Sequence, residues 1–137
     1  MRSTLWAYRQ KAPVPFFPMS EGGWTMPAFV VLEHVKDTER HFDLMLEQGG
    51  VLLTFSFAEF PAPPATCRRL FDHRLAYLEF EGEIEHGKGR VARVESGRFD
   101  LLNLAPDAVC VHLRGERLQG LFHLTQTAGE DWKFAAR

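Results

Sequence analysis

Short runs of β-forming residues, each ended by turn residues, recur along the chain from residue 29 to residue 134. No window has the i, i+3, i+4, i+7 apolar spacing of an amphipathic helix. So many short strands at this spacing predict an all-β fold, a small antiparallel β-barrel of about eight or nine strands. The predicted strands are Phe29–Glu33, His41–Glu47, Val51–Phe57, Leu75–Ile84, Gly89–Glu95, Arg98–Leu104, Ala108–Leu113, Leu118–Thr125 and Trp132–Phe134.

Glycines and prolines mark the segments between these runs. The pair Gly49-Gly50 separates two runs and indicates a hairpin. Three prolines lie within residues 58–70, and because proline cannot donate to a sheet ladder we predict a surface loop there. Residues 1–27 contain four prolines and a Gly-Gly pair. We interpret them as an extended N-terminal arm in front of a barrel domain over residues 28–137.

The composition excludes several classes of protein. A formal net charge of −2 argues against wrapping of long duplex DNA by bulk electrostatics, although a basic patch for one DNA end is compatible with it. No stretch approaches the roughly 18 consecutive apolar residues of a transmembrane helix, and the N-terminus lacks the apolar region of a secretory signal. We therefore expect a cytoplasmic protein with no membrane partner. The two cysteines, Cys67 and Cys110, form no CxxC pair, which argues against a disulfide framework and a structural zinc site.

A histidine and an aspartate alternate with apolar residues at the start of the second predicted strand. Since side chains alternate along a strand, Phe42 and the apolar residues after it would face the core, and His41 and Asp43 would share the opposite face. With His34 from the end of the preceding strand, they would form a set of two histidines and one carboxylate. Such a set suits Mn²⁺, Fe²⁺ or Zn²⁺ and leaves positions open for water and substrate. A solvated polar strand face is the alternative interpretation.

His73 and Tyr77 follow the proline-rich segment, in a position where functional residues often lie. In a straight strand, four residues span about 13 Å. Both side chains can therefore contact one anion only if the chain bends between them. The alternative is a histidine near a strand start and a tyrosine in the barrel wall.

Six segments resemble, in the same order, the 3′-phosphoesterase domain of bacterial DNA ligase D and its stand-alone relatives. The resemblance extends from about residue 28 to the C-terminus and implies a small β-barrel, in agreement with the strand count. The matching segments are FVVLEH (29–34), HFDLMLEQGGVL (41–52), DHRLAYLEFEGEI (72–84), GKGRVARVESGRF (87–99), LRGERLQGLFHL (113–124) and WKF (132–134).

The resemblance implies an enzyme that removes a 3′-phosphate or a 3′-terminal ribonucleotide from broken DNA and leaves a 3′-OH. It implies a divalent metal, preferably Mn²⁺, held by His34, His41 and Asp43. His73 and Tyr77 match the residues that contact the phosphate, and His73 would either stabilise charge or protonate the leaving oxygen. The implied partners are DNA 3′ ends, on a primer–template or a broken duplex. Separate ligase, polymerase or end-binding repair proteins are further expected partners, since the chain has no room for those domains.

Three departures from the family pattern affect these expectations. The family usually has an arginine two residues after the aspartate, and this chain has Met45, which offers no hydrogen-bond donor. We expect Arg74 or Arg40 to bind the phosphate or the DNA in its place. The spacing between the two predicted histidine ligands is one residue longer than usual, and the arm that helps the nuclease step is not recognisable in residues 1–27.

Two other functions stay open at this stage. One is a non-catalytic module that binds DNA ends or repair partners and keeps the barrel and the metal, which the Met45 departure favours. The other is a small cupin-like oxygenase, in which His41, Asp43 and a distant His112 or His123 would hold Fe²⁺.

Overall fold

The computed structural model describes residues 26–84 and 87–137, so the predicted arm over residues 1–27 lies almost wholly outside the described residues. The described part contains a single short 3-10 helix, η1 (Leu75–Leu78), and no helix that could span a bilayer. Its strands are β1 (Ala28–Lys36), β2 (Glu39–Gln48), β3 (Val51–Phe57), β4 (Ala65–Arg74), β5 (Gly82–Glu83), β6 (Arg90–Ala105), β7 (Ala108–Arg114), β8 (Gln119–Ala128) and β9 (Asp131–Ala136).

Eight of these strands form a closed ring of antiparallel pairs. The order is β1-β2-β3-β4-β9-β8-β7-β6, and β6 pairs again with β1, which closes the ring. The two-residue strand β5 extends the sheet from β6. The predicted antiparallel β-barrel is therefore confirmed.

The interior of the barrel is filled by alternate apolar residues from every strand of the ring. The predicted core-facing side of β2 is confirmed, since Phe42, Leu44 and Leu46 are all buried there. Each large apolar side chain buried in this way contributes about 1.5–3 kcal/mol. One interior residue from each ring strand is, in chain order, Phe29, Leu44, Phe55, Cys67, Phe99, Val111, Leu124 and Phe134.

A second, smaller apolar cluster lies on the outer face of the barrel. Residues of β1 and β2 that alternate with the interior ones, among them Leu32 and Met45, are buried beneath the segment that contains η1 and β5. We call it the outer cluster. Its members are Val30, Leu32, Met45, Leu52, Tyr77, Phe80, Ile84 and Val91.

The prediction of a strand over Leu75–Ile84 is wrong, since η1 and β5 occupy this segment. The regular alternation of glutamates suggested a strand, but the buried residues Tyr77, Phe80 and Ile84 are spaced by three and four. That spacing lets a compact turn of chain place its apolar side chains on the outer cluster.

Two other boundaries differ from the sequence prediction. The surface loop ends at residue 64 rather than 70, because β4 begins at Ala65, directly after the last proline. The two runs predicted over residues 89–104 are one strand, β6, and Gly97 lies inside it. A Cβ at Gly97 would lie 2.3 Å from the carbonyl oxygen of Arg114, so this glycine marks a close approach of two strands rather than a turn.

A buried carboxylate fixes the turn between β7 and β8. Glu95 accepts hydrogen bonds from the backbone N–H groups of Ser96, Glu116, Arg117 and Leu118 at 2.6–3.2 Å. Burial works to raise the pKa of Glu95, but these four backbone hydrogen bonds together hold it below its ordinary value. The charged form of Glu95 therefore stabilises the fold.

We expect Glu95→Gln to lower the free energy of unfolding by about 3 kcal/mol at neutral pH, because two of the four donors would then face an NH₂ group. A carboxyl whose pKa is lowered on folding stabilises above its unfolded pKa, and this contribution is lost as the pH falls through the folded pKa. The difference from wild type in urea unfolding should therefore shrink below pH 4.5. Glu83→Gln, at an exposed glutamate, is the control. A constant difference at all pH values would contradict this role.

Candidate functional site

The predicted histidine pair lies directly across two neighbouring strands. His34 on β1 is the cross-strand partner of His41 on β2, and Asp43 lies two residues further along β2, opposite Ser56 of β3. The interior residues Phe42 and Leu44 alternate with His41 and Asp43. This alternation places the polar side chains on the outer face, beside the outer cluster.

Hydrogen bonds connect these three side chains in one chain. Nε2 of His34 donates to the carbonyl oxygen of Lys88 at 2.9 Å, because a carbonyl can only accept. Nδ1 of His41 donates to the Asp43 carboxylate at 3.0 Å. The two remaining nitrogens, Nδ1 of His34 and Nε2 of His41, face each other at 3.0 Å. In the neutral imidazoles both of these nitrogens carry lone pairs.

A sharp turn brings the Lys88 carbonyl to His34. Gly89 has a φ of +97°, and a Cβ at this position would lie 2.1 Å from the carbonyl oxygen of Val35. Only glycine fits against β1 there. No signal in the sequence relates Lys88 to His34, 54 residues away.

The facing nitrogens need a proton or a cation between them. The hydrogen bond that His41 donates to Asp43 raises the pKa of His41, although burial opposes this, and the charges of Asp43 and Glu39 raise it further. A proton on His41 would satisfy the lone pair of His34. A divalent cation would do the same, since two ligands with bonds of about 2.0–2.1 Å to one ion lie roughly 3 Å apart.

The donor set therefore fits a divalent metal at the histidine pair. The fit is less direct for Asp43. Its carboxylate accepts a hydrogen bond from Nδ1 of His41, the nitrogen that points away from His34, and so holds that ring in place. Within residues 26–84 and 87–137, no group of three or more His, Cys, Asp or Glu side chains converges as a ready-made metal cluster. The three-ligand set of His34, His41 and Asp43 stays a prediction.

His73 and Tyr77 lie close together because the chain bends at the start of η1. Their rings are 4.9 Å apart at an interplanar angle of 86°, and both side chains are buried. The negative charge of Asp43 acts on both side chains and works to raise the pKa of each. The structure thus brings the five predicted site residues to one region of the outer face.

The proton positions on His73 and Tyr77 follow from their surroundings. Burial lowers the pKa of His73, and its Nδ1 donates to the carbonyl oxygen of Phe71 at 2.8 Å. Nε2 of the neutral ring therefore carries the lone pair. Burial, assisted by the charge of Asp43, raises the pKa of Tyr77 to about 12, so its hydroxyl keeps its proton at neutral pH.

The structure does not bring Arg40 to this site. Arg40 lies on the opposite face of β2, with its guanidinium 5.1 Å from the Phe42 ring centroid, and it pairs with Glu33 and Glu59. Arg74 does lie at the site, exposed at the start of η1, where its charge acts on Tyr77. Met45 is 1% exposed within the outer cluster, so an apolar side chain fills this position.

The histidines of the oxygenase alternative lie elsewhere. His112 on β7 is near Asp100, and His123 on β8 is near Cys110. Both face outward, because their strand neighbours fill the barrel interior. Since β7 and β8 lie across the ring from β2, neither histidine can share an ion with His41. His86 lies outside the described residues.

Fold and site together define a small antiparallel β-barrel domain with a histidine–aspartate site on its outer face. The profile of the DNA Ligase D 3′-phosphoesterase domain matches residues 33–126, which include all five site residues. This chain belongs to the DNA ligase D 3′-phosphoesterase domain family.

Curated relatives agree with this membership. The multifunctional non-homologous end joining protein LigD of Mycobacterium bovis is 32% identical over 138 aligned positions, which cover 92% of this chain and 18% of that protein. The LigD proteins of Mycobacterium tuberculosis have the same identity and coverage. LigD of Mycolicibacterium smegmatis is 33% identical over 122 positions, 76% of this chain and 16% of that protein. The chain thus spans about a fifth of the length of these relatives.

We expect Met45→Ala to lower the free energy of unfolding by about 3 kcal/mol, because it opens a cavity between β2 and the segment that covers it. Met45→Leu, which conserves volume, should cost less than about 1.5 kcal/mol. Urea unfolding of both variants measures this difference. Equal stability of Met45→Ala and wild type would show that the side chain is not packed as described.

Proposed function

We propose that this protein is a metal-dependent phosphoesterase that removes a 3′-phosphate or a 3′-terminal ribonucleotide from DNA ends and leaves a 3′-OH. Its substrates would be the 3′ ends of a primer–template or a broken duplex, and it would act in the cytoplasm beside separate ligase, polymerase or end-binding repair proteins. The relatives named for non-homologous end joining support a role in DNA break repair. The observation that carries the proposal is the pair of facing nitrogens on His34 and His41.

His34, His41 and Asp43 would hold the metal, with Mn²⁺ as the preferred ion and Zn²⁺ as the alternative. Each histidine has its outer nitrogen fixed by a hydrogen bond, to the Lys88 carbonyl and to Asp43, so each inner nitrogen is available as a ligand. When bound, such an ion neutralises charge on phosphoryl oxygens and lowers the pKa of a bound water.

Tyr77 and His73 would act on the phosphate. The Tyr77 hydroxyl stays protonated and can donate a hydrogen bond to a phosphoryl oxygen, where it stabilises negative charge. His73 presents Nε2, because Nδ1 is held by the Phe71 carbonyl, so Nε2 is the atom through which His73 exchanges a proton during the reaction. The buried surroundings of both rings strengthen these interactions by excluding water.

Arg74 would supply positive charge for the phosphate or the adjacent DNA backbone. It is exposed and lies next to His73 and Tyr77. An open groove also begins at His41 and Ser56 and extends to Thr66 and Arg68, and Arg40 is among the residues that line it. A strand whose 3′ end lies at the site could follow this groove.

A non-catalytic DNA-end module is the second candidate. Two observations favour it. Met45 is packed in the outer cluster, and Arg40 forms ion pairs with Glu33 and Glu59, so of the two predicted arginines Arg74 alone lies at the site. Such a module would bind 3′-phosphorylated ends without turnover.

Titration calorimetry tests the metal. We expect Mn²⁺ or Zn²⁺ to bind the wild-type protein, and His41→Ala and Asp43→Ala to abolish binding because each removes a proposed ligand. His112→Ala, which changes a histidine on the opposite side of the ring, should bind the ion as wild type does. Binding that is unchanged in His41→Ala would contradict the proposed site.

Release of phosphate from a 3′-phosphorylated primer–template with Mn²⁺ tests the activity. His73→Ala should reduce the rate by about 10²–10⁴-fold, because it removes the proton-exchanging atom. Its metal affinity should be nearly unchanged. His123→Ala, matched in residue type but remote from the site, should keep the wild-type rate. Binding of the DNA end by wild type without any cleavage would decide for the non-catalytic module.

A further inference from the structure

An exposed aromatic ring extends the site along β4. Four large hydrophobic side chains are exposed in the described part of the chain, and Phe71, at 61%, is the most exposed and the one that is aromatic. The others are Leu75, Leu102 and Leu104. The Phe71 ring is stacked on the His73 ring, with centroids 4.7 Å apart and an interplanar angle of 6°. Phe71 therefore places an exposed aromatic ring directly against the buried ring of His73.

The local backbone explains why Phe71 lies there. β4 pairs with β9 only as far as Arg68, and the Arg69 N–H donates to the Glu130 carbonyl, so β4 has no β9 partner from residue 70 onward. The register between β3 and β4 also shifts beside Leu52 and Thr54, which leaves Phe71 opposite an irregular part of β3. The extra residue of the bulge interrupts the alternation of side chains along β4, and in this irregular segment the Phe71 ring lies stacked on the His73 ring.

The orientation of the two rings is held by two contacts. The Phe71 carbonyl accepts the hydrogen bond from Nδ1 of His73, and the Tyr77 ring packs edge-on against the His73 ring. One face of the Phe71 ring packs on His73, and the exposed part of the Phe71 ring is accessible to a ligand. A ring fixed in this way loses little conformational entropy when a second flat group stacks on it.

The charges beside the ring suit a nucleic acid. The acidic residue next to it, Asp72, pairs with Arg69 at 3.5 Å, which offsets its repulsion of a phosphate backbone. On the other side of His73, Arg74 is exposed. The residue that follows Phe71 is thus an ion-paired carboxylate, and an exposed cation lies three residues along the chain.

We propose that Phe71 is a substrate-binding residue whose ring stacks on the base of the 3′-terminal nucleotide. This rests on the proposed function, in which His73 contacts the 3′-phosphate of that same nucleotide. The base and the 3′-phosphate of this nucleotide are attached to the same sugar. When the phosphate contacts His73, the base is therefore the flat group that lies near Phe71. Every base has a π-face, so stacking accepts any terminal base, as processing of random breaks requires.

Fluorescence anisotropy and steady-state kinetics with Mn²⁺ test this, using a labelled single strand that ends in a nucleoside 3′-phosphate and its counterpart with an abasic terminal sugar 3′-phosphate. Phe71→Ala should weaken binding of the base-bearing end about 5- to 150-fold. The loss should appear in KM with kcat nearly unchanged, because stacking binds ground state and transition state alike. The abasic end should bind wild type and Phe71→Ala equally.

Further variants separate stacking from a structural effect. Phe71→Trp should keep tight binding, whereas Phe71→Leu, which keeps apolar area but no π-face, should resemble Phe71→Ala. Leu102→Ala, at another exposed hydrophobic residue on β6, is the control and should behave as wild type. A terminal 2-aminopurine should change its fluorescence on binding to wild type but not to Phe71→Ala.

The failures of the two proposals are distinguishable. Suppose that wild type binds and cleaves both ends, and that Phe71→Ala either keeps its affinity for both or loses the same affinity for both. Stacking is then overturned and the phosphoesterase function stands. If wild type neither binds nor cleaves a 3′-phosphorylated end, both proposals are overturned.

Discussion

Strand β1 is hydrogen bonded along both of its edges, and this double pairing is what the rest of the structure depends on. Its partner on one side is β2 and on the other β6, so β1 closes the ring. Its alternate residues are buried on both faces, Phe29 and Val31 in the interior, Val30 and Leu32 in the outer cluster. A strand buried on both faces has a continuous hydrophobic run, which is the pattern that Phe29–Leu32 shows.

The site lies where the outer cluster meets solvent. His34 lies two residues beyond Leu32 on the same face of β1, and Asp43 and Met45 are neighbours on one face of β2. The polar site and the outer cluster therefore share two strands. The segment with η1 and β5 covers the apolar side and places Tyr77 beside His73. The same segment therefore completes both the packing of the outer cluster and the site. Met45 contributes to the packing of the outer cluster.

The elements that depend on local sequence were predictable, and those that depend on distant contacts were not. Alternation within β2 predicted the faces of Phe42, His41 and Asp43 correctly. It was not applied to Arg40, which was expected at the phosphate but lies on the Phe42 side. A bend between His73 and Tyr77 was left open, but the segment after it was predicted as a strand because alternating glutamates resemble one. Gly97 resembled a turn because a close approach between strands leaves no local pattern. The Lys88 carbonyl, which fixes the His34 tautomer, is 54 residues away in sequence.

The histidine pair also has an energetic consequence for the proposed function. Two neutral imidazoles whose facing nitrogens both carry lone pairs repel each other at 3.0 Å, and the pairing of β1 with β2 keeps them there. In the free protein, the proton favoured by the raised pKa of His41 relieves this repulsion. A cation that replaces this proton finds two ligands already positioned, so little of its binding free energy is lost in ordering them. Strand pairing and the two outer hydrogen bonds thus hold the two histidines in an arrangement that favours a positive charge between them.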